Sequence, residues 1–144
     1  MTQKPLLEGS ELFKLIPQRA PIVMVDTFWD ANDLGAETGL NITADNIFCQ
    51  DGLLREPGII EHIAQSAAAF AGYKPYTQGE EPKLGFIGEV KKCKIARLPR
   101  VGEQLRTKLS VVGEAAGVTL IAAEVFSADS SIATCQMKIF IKND

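Results

Sequence analysis

Pro57-Gly58-Ile59-Ile60-Glu61-His62-Ile63-Ala64-Gln65-Ser66-Ala67-Ala68-Ala69-Phe70-Ala71-Gly72-Tyr73 is the stretch around which the chain is organised. Apolar residues recur at 60, 63, 64, 67 and 71, the i, i+3, i+4, i+7, i+11 pattern of one buried helical face. Ala fills 67, 68, 69 and 71; it has the highest helix propensity and lets neighbouring backbone come close. Pro57 suits the first helical position, where its missing N–H is no loss. Gly72 and then Pro75 are the expected stop. The reading is one buried helix of about five turns at ~3.6 residues each. Its start carries Glu61 and His62, the only histidine in the chain. A carboxylate and an imidazole near the positive end of a buried helix are the first functional lead.

The 144 residues make one domain, 1–144, and 46% hydrophobic content is enough for a core and too much for disorder. A net charge of −3 gives no basic footprint for nucleic acid. No apolar run approaches the ~18 residues that read as a membrane span, and the opening Met-Thr-Gln-Lys-Pro lacks the apolar segment of a secretory signal. Cys49, Cys93 and Cys135 are odd in number and far apart, which suits free thiols in a reducing compartment rather than a disulfide frame. The expectation is a soluble cytoplasmic protein. One histidine and three dispersed cysteines offer no recognisable metal-ligand set.

Along the chain, residues 1–9 read as a loose lead-in, and Ser10–Ile16 as a short helical turn capped by Ser10 and stopped by Pro17. Pro21–Ala31, rich in β-branched and aromatic residues, reads as a strand. Asn32-Asp33-Leu34-Gly35 turns the chain into a second strand over Gly35–Thr43. Residues 44–56 look irregular, with Asp51-Gly52 as a tight turn before the helix; Thr77–Lys83 is a loop. Leu84–Leu98, Glu103–Gly113, Gly117–Ala128 and Ser131–Lys142 are four strand-like runs whose short connections predict antiparallel neighbours. In the last run Ala133, Cys135, Met137 and Ile139 alternate with Ile132, Thr134, Gln136 and Lys138. A curved antiparallel sheet with one helix on its inner face satisfies this outline and buries both. The open face and edges of such a sheet make a dimer the physical expectation.

Leu15-Ile16-Pro17-Gln18-Arg19-Ala20-Pro21-Ile22-Val23-Met24-Val25-Asp26 resembles the opening signature of the β-hydroxyacyl-acyl-carrier-protein dehydratases. Pro57–Gln65 resembles their central-helix signature, and Gly85-Phe86-Ile87-Gly88 and Arg97–Leu105 their later strand and turn. The order holds from about Leu12 to Leu105. The resemblance implies an α+β hot-dog fold, an antiparallel sheet wrapped around one long central helix, in dimers. Asp51-Gly52 and Gly85-Phe86-Ile87-Gly88 look closer to the dehydratase-like proteins of aryl-polyene and related pigment clusters than to the housekeeping enzymes. In the resembling enzymes a helix glutamate works with a histidine from the loop before the helix, donated by the other subunit. Glu61 falls on the glutamate position. The loop Phe48–Glu56 has no histidine, and Gln18 replaces the histidine of the opening signature.

Dehydrating a 3-hydroxyacyl thioester to a trans-2-enoyl thioester needs a base for the α-proton, an acid for the leaving hydroxyl and donors for the thioester oxygen. The resemblance assigns Glu61 to acid/base work. His62 is either a structural histidine or a substitute for the missing loop histidine; at ~100° per residue it does not share a face with Glu61. The helix N-terminus offers N–H donors, and Gly58 permits close approach to that backbone. Gln65, one turn on, orients Glu61 or satisfies a buried carbonyl. Gly52, Gly58, Gln65 and Gly88 are the expected substrate-side positions. Asp51 and Cys49 are lesser candidates, with ordinary turn and core readings. Lys91, Lys92, Lys94, Arg97 and Arg100 are a solvated strand face or a dock for an acidic carrier.

Three functions compete at this point. The chain is a 3-hydroxyacyl-carrier dehydratase of fatty-acid or polyene biosynthesis, a half-catalytic or non-catalytic partner of a related dehydratase, or an acyl thioesterase on the same fold. The implied partners are an acyl carrier protein or CoA thioester and a second hot-dog subunit, identical or related, with neither nucleic acid nor membrane. No cofactor is implied beyond the phosphopantetheine that carries the substrate.

Overall fold

The computed structural model describes residues 4–81 and 85–141. The ends of two expected runs, Leu84 and Lys142, together with 82–83 of the expected loop and 1–3 of the lead-in, lie outside the described residues. The strands are β1 (Leu7–Glu8), β2 (Thr27–Asn32), β3 (Gly35–Asn41), β4 (Cys49–Gln50), β5 (Leu53–Leu54), β6 (Gly85–Ile95), β7 (Gln104–Ala115), β8 (Val118–Ser127) and β9 (Ser130–Ile141). One long helix, α1 (Glu56–Thr77), lies between β5 and β6. Seven strands form one antiparallel sheet in the order β1-β2-β3-β7-β8-β9-β6, and β4 and β5 form a separate hairpin.

The sheet packs its inner face on α1, which is touched from β2, β3, β6 and β7. The alternation expected in β9 sets that face: Ala133, Cys135, Met137 and Ile139 are buried, as are Ile121, Ala123 and Val125 of β8. Leu12, Leu15, Met24 and Phe28 are buried in the same core as Ile59 and Ile63 of the helix. Each such fully buried side chain contributes about 1.5–3 kcal/mol.

The helix differs from its expected outline in three ways. It starts at Glu56, with Pro57 in its first turn. It passes Gly72 and Pro75, because Tyr73 stacks on Phe28 (ring centroids 4.9 Å apart) and Tyr76 stacks beside Tyr73. The stop comes at Gly79 (φ +74), whose N–H reaches Tyr76 O while Glu80 N–H reaches Pro75 O, the paired bonds of a left-handed C-terminal cap. Its core face is also turned from the expected stripe. Ile59, His62, Ile63, Ser66 and Ala69 are buried, whereas Ile60, Ala64, Ala68 and Ala71 are only half-buried.

Other departures have local causes. The lead-in is not loose: Leu7 and Glu8 pair with Phe28 and Thr27. The turn over Leu12–Leu15 is a 3-10 helix entered from Glu11, and no side chain caps it. Residues 44–56 contain the β4–β5 hairpin, with Asp51 (φ 55) and Gly52 (φ 77) as its two-residue tip. β7, β8 and β9 form the expected meander, but β6 does not neighbour β7. One edge of β7 is taken by β3, from Gly35↔Ser110 to Asn41↔Gln104, and β6 pairs instead with β9 at the far edge of the sheet. The connection over residues 96–103 therefore crosses the end of the sheet beside the start of α1, where Leu54 N–H bonds Pro99 O and Val101 N–H bonds Gly52 O.

Candidate active site

Three polar side chains of α1, His62, Gln65 and Ser66, are fully buried. His62 Nδ1 lies 2.6 Å from Met24 O and Nε2 lies 2.7 Å from Thr107 Oγ1. A carbonyl only accepts, so Nδ1 carries the proton and Nε2 accepts from the Thr107 hydroxyl. Burial pushes this imidazole below its usual pKa, opposed by the Met24 carbonyl and by Asp26. Ser66 Oγ donates to His62 O and so accepts from Thr38 Oγ1, 2.7 Å away. Gln65 Oε1 accepts from Met24 N–H at 2.6 Å, and its amide donates to Ile22 O at 2.8 Å. These bonds satisfy backbone groups of Ile22 and Met24, in the segment that precedes β2 without joining the sheet.

The Gln65 amide makes one more bond, to Glu61 Oε1 at 2.9 Å. Glu61 is half-buried, on the side of α1 that carries Ile60, Ala64, Ala68 and Ala71 and is turned away from His62. Gln65 thus does both things foreseen for it: it satisfies backbone of the 22–24 segment and holds one carboxylate oxygen. His62 is a core histidine with both nitrogens engaged, and its geometry is that of a structural residue rather than an acid/base partner of Glu61.

The glycines divide. A Cβ on Gly58 would lie 2.6 Å from both Leu54 Cδ1 and Phe48 Cβ, so this residue admits the hairpin rather than open space. A Cβ on Gly88 would run into the ring of Phe140 on the neighbouring strand. Gly52 faces open space at the hairpin tip. The N–H donors expected at the helix start are largely engaged: Gly58 N–H and Ile59 N–H both reach Arg55 O, at 2.9 and 3.2 Å, and Pro57 has none. Asp51 is exposed on the turn. Burial pushes the Cys49 thiol up, away from the nucleophilic thiolate. A cleft of about 500 Å³ lined by Phe70, Tyr73, Ile121 and Ile139 lies at the other end of α1, about 18 Å along the helix axis from Glu61.

The basic stretch is not one face. Arg97 is bound to Glu103 through both terminal nitrogens, at 3.2 and 2.8 Å. Glu103 also accepts from Arg100 N–H and Ser127 Oγ. The Arg97 guanidinium, then the Ser127 hydroxyl and the Arg100 amide, hold this carboxyl down at about 2. Sequence reading missed this clip, because Ser127 reaches Glu103 only through the pairing of β8 with β7. Lys92 and Lys94 stand exposed on β6, while Arg100 is exposed beside Leu53, near the start of α1.

A long helix lying on a curled antiparallel sheet is the arrangement of the hot-dog fold, and Glu61 is a held carboxylate on the half-buried side of that helix. Residues 10–144 match the ApeP-like family, described as ApeP dehydratase, and the chain belongs to that family. The 3-hydroxyacyl-[acyl-carrier-protein] dehydratase FabZ of Lactiplantibacillus plantarum is 25% identical over 142 residues, covering 94% of this chain and 95% of that one. FabZ of Caldanaerobacter subterraneus is 26% identical over 110 residues, covering 73% and 77%. Among solved structures, the dehydratase heterocomplex ApeI:P from Xenorhabdus doucetiae shares the fold, with a TM-score of 0.82 at 16% identity over 92% of this chain and 91% of that chain. No helix among the described residues is long and apolar enough to cross a membrane.

Proposed function

We propose that this chain supplies the carboxylate half of a site that dehydrates 3-hydroxyacyl thioesters to trans-2-enoyl thioesters, working beside a related hot-dog subunit that supplies the other half. The observation that carries the reading is the pairing of Glu61 with Gln65. One carboxylate oxygen is held by an amide that is itself fixed to backbone, which leaves the second oxygen for substrate. In that role Glu61 donates a proton to the departing β-hydroxyl. The α-proton needs a separate base, and the chain's single histidine is fully buried with both nitrogens engaged. The base therefore comes from the partner, a reading that the name of the ApeI:P heterocomplex supports.

The half-buried strip of Ile60, Ala64, Ala68 and Ala71 around Glu61 is where the second subunit would pack. The Ile87–Val90 end of β6 offers a second contact: among the described residues β6 pairs with β9 alone, and both these side chains are exposed. Such a pair would enclose Glu61 in a water-poor site. An acyl carrier protein fits as the delivering partner, its acidic surface meeting Arg55 and Arg100 near the start of α1 and its phosphopantetheine reaching Glu61. Three free thiols suit a reducing cytoplasm for the work.

The test mixes purified chain with 3-hydroxyacyl carrier protein, alone and with a related hot-dog subunit, and follows loss of water by intact mass. Activity is expected only in the mixture, and Glu61→Gln in this chain should abolish it. Full turnover by the isolated chain removes the partner requirement. Undiminished turnover with Glu61→Gln removes the assignment of the acid, and release of free thiol instead of water points to thioester hydrolysis.

A further inference from the structure

The β6–β9 pair contains a feature that the proposed reaction does not use. Its register runs Lys91↔Gln136 and then Lys94↔Thr134, so Lys92 and Cys93 together stand opposite Cys135. This is a β-bulge, with Lys92 in the left-handed region at φ 52. Cys93 is exposed and Cys135 is buried. The Cys135 sulfur already reaches toward β6, lying 3.9 Å from Lys91 O, and Cys93 lies close enough to act on its thiol. Neighbouring strands lie about 4.7–4.9 Å apart, so residues that face each other across the bulge come within reach of the ~4.4–6.8 Å between Cα atoms that a disulfide spans.

We propose that Cys93 and Cys135 are an oxidisable pair, which a peroxide converts to a cross-strand disulfide that ties the edge strand β6 to β9. Cys93, the exposed thiol, reacts first. Its sulfur attacks the peroxide, the O–O bond breaks, and Cys93 becomes a sulfenic acid as one water leaves. The Cys135 sulfur then attacks the Cys93 sulfur. The S–S bond forms, the S–O bond breaks, and the hydroxyl leaves as a second water with the Cys135 proton. Two thiols are oxidised by two electrons and one peroxide is reduced to two waters. Burial, with Cys93 alongside, pushes the Cys135 thiol up to about 12, so it stays protonated until its neighbour is activated. Cys49 lies on β4, outside the seven-stranded sheet, and takes no part.

The experiment treats the full chain with hydrogen peroxide after removal of reductant, then denatures it and counts thiols with a maleimide. Expected are one reactive thiol in place of three, an intact mass lower by two hydrogens before labelling, a Cys93–Cys135 linked peptide, and reversal by dithiothreitol. Cys93→Ser, a surface change, should keep both remaining thiols and show no loss of two hydrogens. The proposal is overturned if Cys93 gains two or three oxygens while Cys135 stays alkylatable. It is equally overturned if all three thiols survive, if the link joins two chains, or if it involves Cys49.

Discussion

Acidification should destabilise this protein through His62 alone at mildly acid pH. In the unfolded chain its imidazole titrates near 6.5. In the fold, burial holds the value lower, against the smaller opposing effects of the Met24 carbonyl and Asp26. Below pH 6.5 the unfolded state therefore binds a proton that the folded state does not, and stability falls as pH falls, until the lowered folded value is reached. The limiting slope for one proton is about 1.4 kcal/mol per pH unit. At that limiting slope the loss between pH 6.5 and 5.5 is at most about 1.4 kcal/mol. With a urea m-value of about 2 kcal/mol/M, the midpoint moves down by up to about 0.7 M. Because the chain has one histidine, no other side chain with an ordinary pKa titrates in this interval. The assay is urea unfolding from pH 7.5 to 5.5 at fixed protein concentration, with His62→Gln beside it. The variant should be weaker throughout and should lose the slope between pH 6.5 and 5.5. A wild-type midpoint that is flat, or that rises on acidification, would mean that His62 takes up its proton inside the fold, and the tautomer assignment would fall with it.

Gln65→Leu leaves Met24 N–H and Ile22 O without their partners and frees Glu61; a loss of about 1–3 kcal/mol per orphaned group is expected in the same unfolding assay, together with reduced dehydration in the mixed-subunit assay. Gly58→Ala drives a methyl into Leu54 and Phe48 and should cost about 1–3 kcal/mol; an unchanged midpoint would show that the hairpin yields. Lys92→Gly removes a left-handed side-chain conformation at the bulge and should raise stability by up to about 1 kcal/mol. Glu103→Gln should weaken the fold at neutral pH and flatten its acid dependence, because the native carboxyl at about 2 contributes stability that is present above the unfolded value near 4.3 and is lost as pH falls toward 2. Thermal melts from pH 6 to 2.5 would show it.

What was legible in the sequence was whatever repeats locally. β7 to β9 and the inward set of β9 followed from period-2 alternation and short turns, and the long helix followed from its alanines. The crossover was not legible, because the choice of β9 over β7 as partner for β6 depends on β3 having occupied β7. The rotated helix face was missed because three of its buried positions are His, Gln and Ser, which apolar periodicity counts as outward. Gly72 drew the stop too early because stacking of Tyr73 on Phe28 outweighs a local breaker. Glu61 and Gln65 were readable as neighbours one turn apart. The backbone that Gln65 grips was not, since Ile22 and Met24 lie some forty positions earlier in the chain.

An alanine-rich rod inside a curled sheet has few knobs to stop it from sliding or spinning. His62, Gln65 and Ser66 act as keys in the barrel of a lock: one notch of rotation would break every bond they make to Met24, Ile22, Thr107 and Thr38. The aim of the Glu61 carboxylate is thereby set from the interior of the subunit, not by the hairpin that precedes the helix. The tip of that hairpin makes none of these bonds, so the carboxylate keeps its bearing whatever side chains the tip carries.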